Sequence, residues 1–128
     1  MLTEDEITYK IRGSIYEVFK QLGPGLLESV YEACLYYELS SMGLTVQCQV
    51  PLPVNYKSIN LDIGFRLDLL VEDLVIVEIK SVEILSNVHK KQLLTYLRLT
   101  GKKIGILVNF NTAHLVDKES IIRIVNQY

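Results

Sequence analysis

Cysteine is scarce in this chain, long apolar runs are missing and neither sign of charge dominates, and each shortage removes a class of protein. Cys34 and Cys48 are the only two cysteines, and they lack the CxxC spacing of zinc and redox sites. Both fall at apolar positions of their local patterns and are expected as reduced core thiols. No uninterrupted apolar stretch approaches the ~18–20 residues that cross a bilayer. The start, Met1-Leu2-Thr3-Glu4-Asp5-Glu6, is acidic where a signal peptide would be basic. A cytoplasmic protein with no membrane partner is the expectation. With 13 basic against 15 acidic residues the formal charge is −2, so any nucleic-acid ligand must be held by a local basic patch or through metal ions. Repeats, linkers and low-complexity tracts are also missing.

What remains is an ordinary globular composition, 49% hydrophobic and 22% charged over 128 residues. That length fits one domain, 1–128, able to bury roughly two-thirds of its unfolded surface without metal or disulfide staples.

Thr3 and Glu6 have capping-box spacing, and Ile7, Ile11, Ile15, Val18, Phe19 and Leu22 follow at helical intervals, which predicts a helix from about Glu4 to Gln21. Gly23-Pro24-Gly25 breaks it. A second helix follows, with Leu27, Val30, Tyr31, Cys34, Leu35 and Leu39 as its apolar positions and Gly43 past its end. Leu44, Val46, Cys48 and Val50 alternate with polar residues until Pro51 and Pro53, the pattern of an edge strand. Val54–Tyr56 and Ile59–Leu61 suggest a small hairpin. Phe65–Val71 and Leu74–Lys80 are central strands joined through Glu72 and Asp73. A third helix is read from Ser86 as N-cap to Gly101 as stop, with Val88, Leu93, Leu94, Leu97 and Leu99 as apolar positions. Lys103–Asn109 reads as a buried strand, and Ile121, Ile122, Ile124 and Val125 as a strand or a short helix. The order implies an α+β fold, a mixed β-sheet flanked by helices.

Charge sits inside this apolar framework. Glu78 and Lys80 are two apart on a strand and share a side. Cross-strand neighbours in an antiparallel hairpin have a constant sum of residue numbers. A three-residue loop, Glu72-Asp73-Leu74, sets Asp68 opposite Glu78, Leu70 opposite Ile76 and Arg66 opposite Lys80. Leu67, Leu69 and Val71 then share an apolar face with Val75, Val77 and Ile79. A two-residue loop would oppose each acid to an apolar side chain, so the three-residue register is preferred. Two carboxylates about 5 Å apart repel by roughly 3 kcal/mol at an effective dielectric near 20. Lys80 and Arg66 could offset that alone, as an ion cluster with no chemistry. A divalent cation, Mg²⁺ or Mn²⁺, is the alternative suited to hard oxygen ligands.

On the third helix His89, Gln92 and Tyr96 fall on one face. Lys90, Lys91, Arg98, Lys102 and Lys103 lie near them in sequence and could meet a phosphate backbone or simply be solvated. Glu28, taken alone, is a first-turn carboxylate that complements a helix dipole.

The run Gly25-Leu26-Leu27-Glu28-Ser29-Val30-Tyr31-Glu32 resembles the signature of the GxxExxY proteins. The likeness continues through Arg66-Leu67-Asp68, Glu78-Ile79-Lys80, Gln92 with Tyr96, Gly101 and Asn109-Phe110-Asn111. That family is similar to a branch of the PD-(D/E)xK nuclease superfamily, which implies a restriction-endonuclease-like core. The resemblance further implies Asp68 and Glu78 as metal ligands with the Ile79 carbonyl, Glu28 supporting them directly or through water, and Lys80 as the catalytic lysine. Gln92 and Tyr96 would complete the site and contact nucleic acid, with His89, Arg66 and Lys91 as further substrate contacts. Two departures stand out: Leu67 occupies the place of the usual proline, and Lys90 follows His89 where an acid is common.

The expected activity is therefore Mg²⁺- or Mn²⁺-dependent phosphodiester hydrolysis in nucleic acid, DNA before RNA. Lys80 stabilises charge rather than acting as a free base, because neighbouring carboxylates favour the ammonium form. The alternative is a non-catalytic nucleic-acid- or protein-binding module on the same scaffold, and a homodimer through the edge strand is a further possibility.

Overall fold

The computed structural model describes residues 1–127. The Thr3 side chain accepts the Glu6 amide at 3.1 Å and starts α1, Glu4–Leu22, which ends where Gly23 takes φ 68°. After the Gly-Pro-Gly turn comes α2, Glu28–Ser41. The strands follow as β1 (Val46–Pro51), β2 (Val54–Tyr56), β3 (Ile59–Leu61), β4 (Arg66–Val71) and β5 (Val75–Lys80). Then come α3 (Asn87–Thr100), β6 (Ile104–Asn109) and β7 (Ile121–Val125). The last segment is thus a strand, because it pairs antiparallel with β6 from Ile104–Val125 to Val108–Ile121.

The main sheet has the order β1-β4-β5-β6-β7, and β2 and β3 form a separate two-stranded sheet. β5 and β6 are parallel, with α3 as the crossover between them, while the other neighbours are antiparallel. Helices cover both faces. α1 and α2 pack Ile7, Ile11, Ile15, Tyr31, Leu35 and Leu39 against Leu69, Val71, Val75, Val77, Ile79 and Val108. On the opposite face α3 packs Leu93, Tyr96 and Leu97 against Leu67, Leu70, Ile76 and Leu107. Burial of this apolar surface is the main favourable term in the fold. The expected α+β sandwich, a mixed sheet flanked by helices, is the fold.

Several apolar positions point elsewhere than periodicity suggests. Leu27 and Val30 at the start of α2, and Val88 and Leu99 near the ends of α3, are exposed. Helix ends overhang the sheet, so the 3.6-residue pattern outlasts the surface that can cover it. Both cysteines are free, but Cys48 is exposed rather than in the core and Cys34 is half-buried. β1 is an edge strand, so Cys48 has a neighbouring strand's side chains on one flank only.

The β4–β5 hairpin has the preferred register, Leu69–Val77, Leu70–Ile76 and Val71–Val75. Its loop, Glu72 and Asp73 in left-handed conformation followed by Leu74, has three residues. Regular pairing stops at Leu69 and Val77, and two expectations fail beyond it. Arg66 does not meet Lys80: it pairs with Pro51 of β1, and its guanidinium reaches Asp62 at 3.5 Å and the Phe65 carbonyl at 2.9 Å. Leu67 also leaves the face of Leu69 and Val71 and joins the α3 side. The strand rolls over at Asp68, opposite Gln49, whose φ of 51° interrupts the β1–β4 pairing.

Candidate active site

The interruption in the sheet is made by the two acids. Where a strand would offer backbone carbonyls, the Asp68 amide donates to Glu78 Oε2 at 2.8 Å and the Ile79 amide donates to Asp68 Oδ2 at 2.8 Å. Each carboxylate thus replaces a ladder partner of the other's strand, which wedges β4 and β5 apart and fixes both side chains at the opening. Hydrogen bonds of this kind satisfy backbone donors that would otherwise be stranded.

Glu78 is 3% exposed. Among the described residues neither carboxylate lies within ion-pair distance of a lysine or arginine. Burial, then the Asp68 charge, pushes Glu78 up to about 8. Asp68 is likewise raised by burial, an effect moderated by the Ile79 amide and the Lys80 ammonium. A self-sufficient ion cluster would hold both acids low. The pair is under-neutralised.

Lys80, on the same side of β5 as Glu78, donates to Gln92 Oε1 at 3.2 Å. Its carbonyl accepts the Phe110 amide at 3.0 Å, which locks the end of β5 to β6. Tyr96, one turn beyond Gln92, is buried, and its hydroxyl is pushed up by burial and by the charges of Glu78 and Asp68. Gln92, Tyr96, Lys80, Asp68 and Glu78 are therefore brought together. His89 is used locally instead: the Ser86 amide donates to its Nδ1 at 3.0 Å, capping α3 and leaving Nε2 as the protonated nitrogen. Lys91, two residues on and therefore on a different face of α3, is exposed, whereas Lys102 is drawn away to Asp73 at 3.2 Å.

Two residues not singled out in the sequence join the acids. Gln49 donates to Glu32 Oε1 at 2.6 Å and lies 3.4 Å from Asp68 Oδ1. Glu32 is raised by burial, against the lowering effect of Gln49, with the Asp68 and Glu28 charges adding to the rise. Glu32 falls within the quoted signature run, but Gln49 looked like any outward residue of an edge strand. Glu28, exposed at the start of α2, acts on Asp68 and Glu32 only as a nearby charge. Among the described residues no three Asp, Glu, His or Cys side chains gather into one ligand group.

The rim is held by groups the sequence hides. The Tyr31 hydroxyl donates to the Gly23 carbonyl at 2.6 Å and accepts the Leu26 amide at 3.2 Å, closing the Gly-Pro-Gly turn. Its ring stacks on Phe110 with centroids 4.2 Å apart. Ser81 donates to the Leu26 carbonyl at 2.8 Å, tying that turn to the residue after Lys80. The Asn109 side-chain amide clasps Val82, its oxygen accepting the Val82 N–H at 3.0 Å and its nitrogen donating to the Val82 carbonyl at 2.8 Å.

A mixed sheet between helices, with two carboxylates and a lysine at an opening between its central strands, has the architecture of the restriction-endonuclease-like proteins. The chain matches the PD-(D/E)XK nuclease superfamily over residues 5–124 and belongs to it. Comparison with curated proteins and with solved structures gave no match. No helix among the described residues is long and apolar enough to cross a membrane.

The family implies a divalent cation, and the donor set fits one. The acids are adjacent hard oxygen donors, Glu78 buried and Asp68 half-buried, and among the described residues neither is in an ion pair. Two carboxylates with a backbone carbonyl suit an ion that keeps several of its own waters, as Mg²⁺ does.

Proposed function

We propose that this chain is a divalent-metal-dependent phosphodiesterase acting on nucleic acid, DNA in the first instance, and that it belongs to the GxxExxY group within its superfamily. The observation behind the reading is the pair of half-buried Asp68 on β4 and buried Glu78 on β5, which among the described residues lacks a salt-bridge partner, with Lys80 two residues beyond Glu78 on β5.

In this reading Asp68, Glu78 and the Ile79 carbonyl hold Mg²⁺ or Mn²⁺. The bound ion supplies Lewis-acid charge at the phosphate and at the attacking water. Lys80 stabilises negative charge that develops on the phosphate, and Gln92 holds the ammonium in place through the 3.2 Å hydrogen bond. Tyr96 and Gln92 line the approach for substrate, with Arg66, Lys91 and the free Nε2 of His89 as outer contacts. Glu28 and, newly, Glu32 bias the site toward cations. Gln49 bridges Glu32 and Asp68 and orients the latter.

The test is a cleavage screen across single-stranded, duplex, flapped and branched substrates in Mg²⁺ and Mn²⁺, with Glu78→Gln and Lys80→Ala as blanks. Metal-dependent cutting that both variants abolish is the expected result. No cutting of any substrate would refute the hydrolytic reading. The rival, a binding module on a nuclease-like scaffold, is favoured by one observation: among the described residues no three Asp, Glu, His or Cys side chains gather into one metal-holding group.

A further inference from the structure

The small β2–β3 sheet is built with one side apolar. Its pairs are Val54–Leu61, Asn55–Asn60 and Tyr56–Ile59. Cross-strand partners share a face, so Val54, Tyr56, Ile59 and Leu61 line one side and two asparagines the other. Among the described residues nothing covers the apolar side toward its tip: Tyr56 is 60% and Ile59 56% exposed. The segment from β3 to β4 adds two more open apolar side chains, Ile63, 57% exposed, and Phe65, 40% exposed. Phe65 then abuts Tyr96, ring centroids 6.0 Å apart and tilted by 53°. An isolated two-stranded hairpin is marginal in water, and an open apolar face makes it more so.

We infer that the β2–β3 hairpin and Phe65 form a stacking platform that leads unpaired bases to the carboxylates, so that the substrate is single-stranded nucleic acid. This rests on the reading under Proposed function and names its substrate class. Three observations favour that occupant. The platform joins the site directly, since Phe65 touches Tyr96, whose hydroxyl feels the charges of Glu78 and Asp68. A cation stands over one of the rings, Lys57 Nζ 5.5 Å from the Tyr56 ring centroid. Bases stack through their faces whatever their identity, and only an unpaired base presents a free face to rings as open as Tyr56, 60% exposed, and Phe65, 40% exposed. A second copy seated on the same face would cover the approach to Tyr96.

The experiment measures binding in EDTA, where no turnover occurs, by fluorescence anisotropy. The probes are an oligothymidylate of roughly 12 nucleotides, within the span of single-strand binders, and a hairpin duplex of equal length. Single strand should bind more tightly than duplex. Tyr56→Ala and Phe65→Ala should each weaken single-strand binding by roughly 5- to 100-fold, and Phe65→Trp should restore it. Tyr56 is exposed enough that its variant keeps the fold, which circular dichroism checks. Equal affinity for both probes, or variants that bind as the parent does, would overturn the inference. A concentration-dependent dimer that Tyr56→Ala dissolves would overturn it too, assigning the face to a second copy. Phe65-dependent binding without cleavage in Mg²⁺ would uphold the platform and sink the hydrolytic reading, while Lys80-dependent duplex cleavage indifferent to Phe65 would do the reverse.

Discussion

Glu78 is the most informative residue to perturb, because its state links stability, pH and metal. Its folded-state pKa of about 8 lies above the 4.5 of an ordinary glutamate. Folding therefore favours the protonated form: the contribution to stability is complete below about pH 4.5 and is lost as the pH rises through about 8. Each pH unit between the two values is worth about 1.4 kcal/mol, so the metal-free protein should lose on the order of 3–5 kcal/mol between about pH 5 and about pH 9. That is a large share of the roughly 5–15 kcal/mol of a small domain. Glu78→Gln removes the titration while keeping an oxygen to accept the Asp68 amide. Urea unfolding in EDTA should show a wild-type midpoint that falls over this range and a variant midpoint that falls much less, the residue coming from Asp68 and Glu32, which are raised as well. Excess Mg²⁺ at the upper pH should return the wild type toward its acid-side stability and leave the variant unchanged. A wild type equally stable at both pH values in EDTA, or a variant that falls as steeply, would refute the argument.

Other perturbations test separate joints. Lys80→Ala should lower cleavage by roughly 10²–10³-fold with an unchanged circular dichroism spectrum. Tyr31→Phe strands the Gly23 carbonyl and the Leu26 amide and should cost about 1–3 kcal/mol in urea unfolding. Gly105→Ala would place a Cβ 2.8 Å from Leu93 Cδ1, where α3 meets β6, and overpacking there should cost about 1–3 kcal/mol by the same assay.

The two faces of the sheet were legible because hydrophobic alternation specifies register: keeping Val75, Val77 and Ile79 on one side forces a three-residue loop and sets Asp68 near Glu78. Thr3 and Gly101 marked helix ends by cap chemistry alone. The splay beyond Leu69 was not legible. It arises when side-chain carboxylates capture backbone amides, a competition that periodicity does not encode. Hence Leu67 changed faces and Arg66 found Asp62 instead of Lys80. Gln49 escaped notice because its partners, Glu32 and Asp68, are 17 and 19 residues away. The last segment was ambiguous until β6 supplied a partner.

Hydrolysis by this chain requires Asp68 and Glu78 to share a divalent ion. Calorimetric titration of the purified protein with Mn²⁺ tests it most directly. Saturable uptake near neutral pH, accompanied by proton release as Glu78 ionises and lost in both Asp68→Asn and Glu78→Gln, is the predicted result. An absence of binding heat in the wild type, or the same uptake in the two variants, would contradict it.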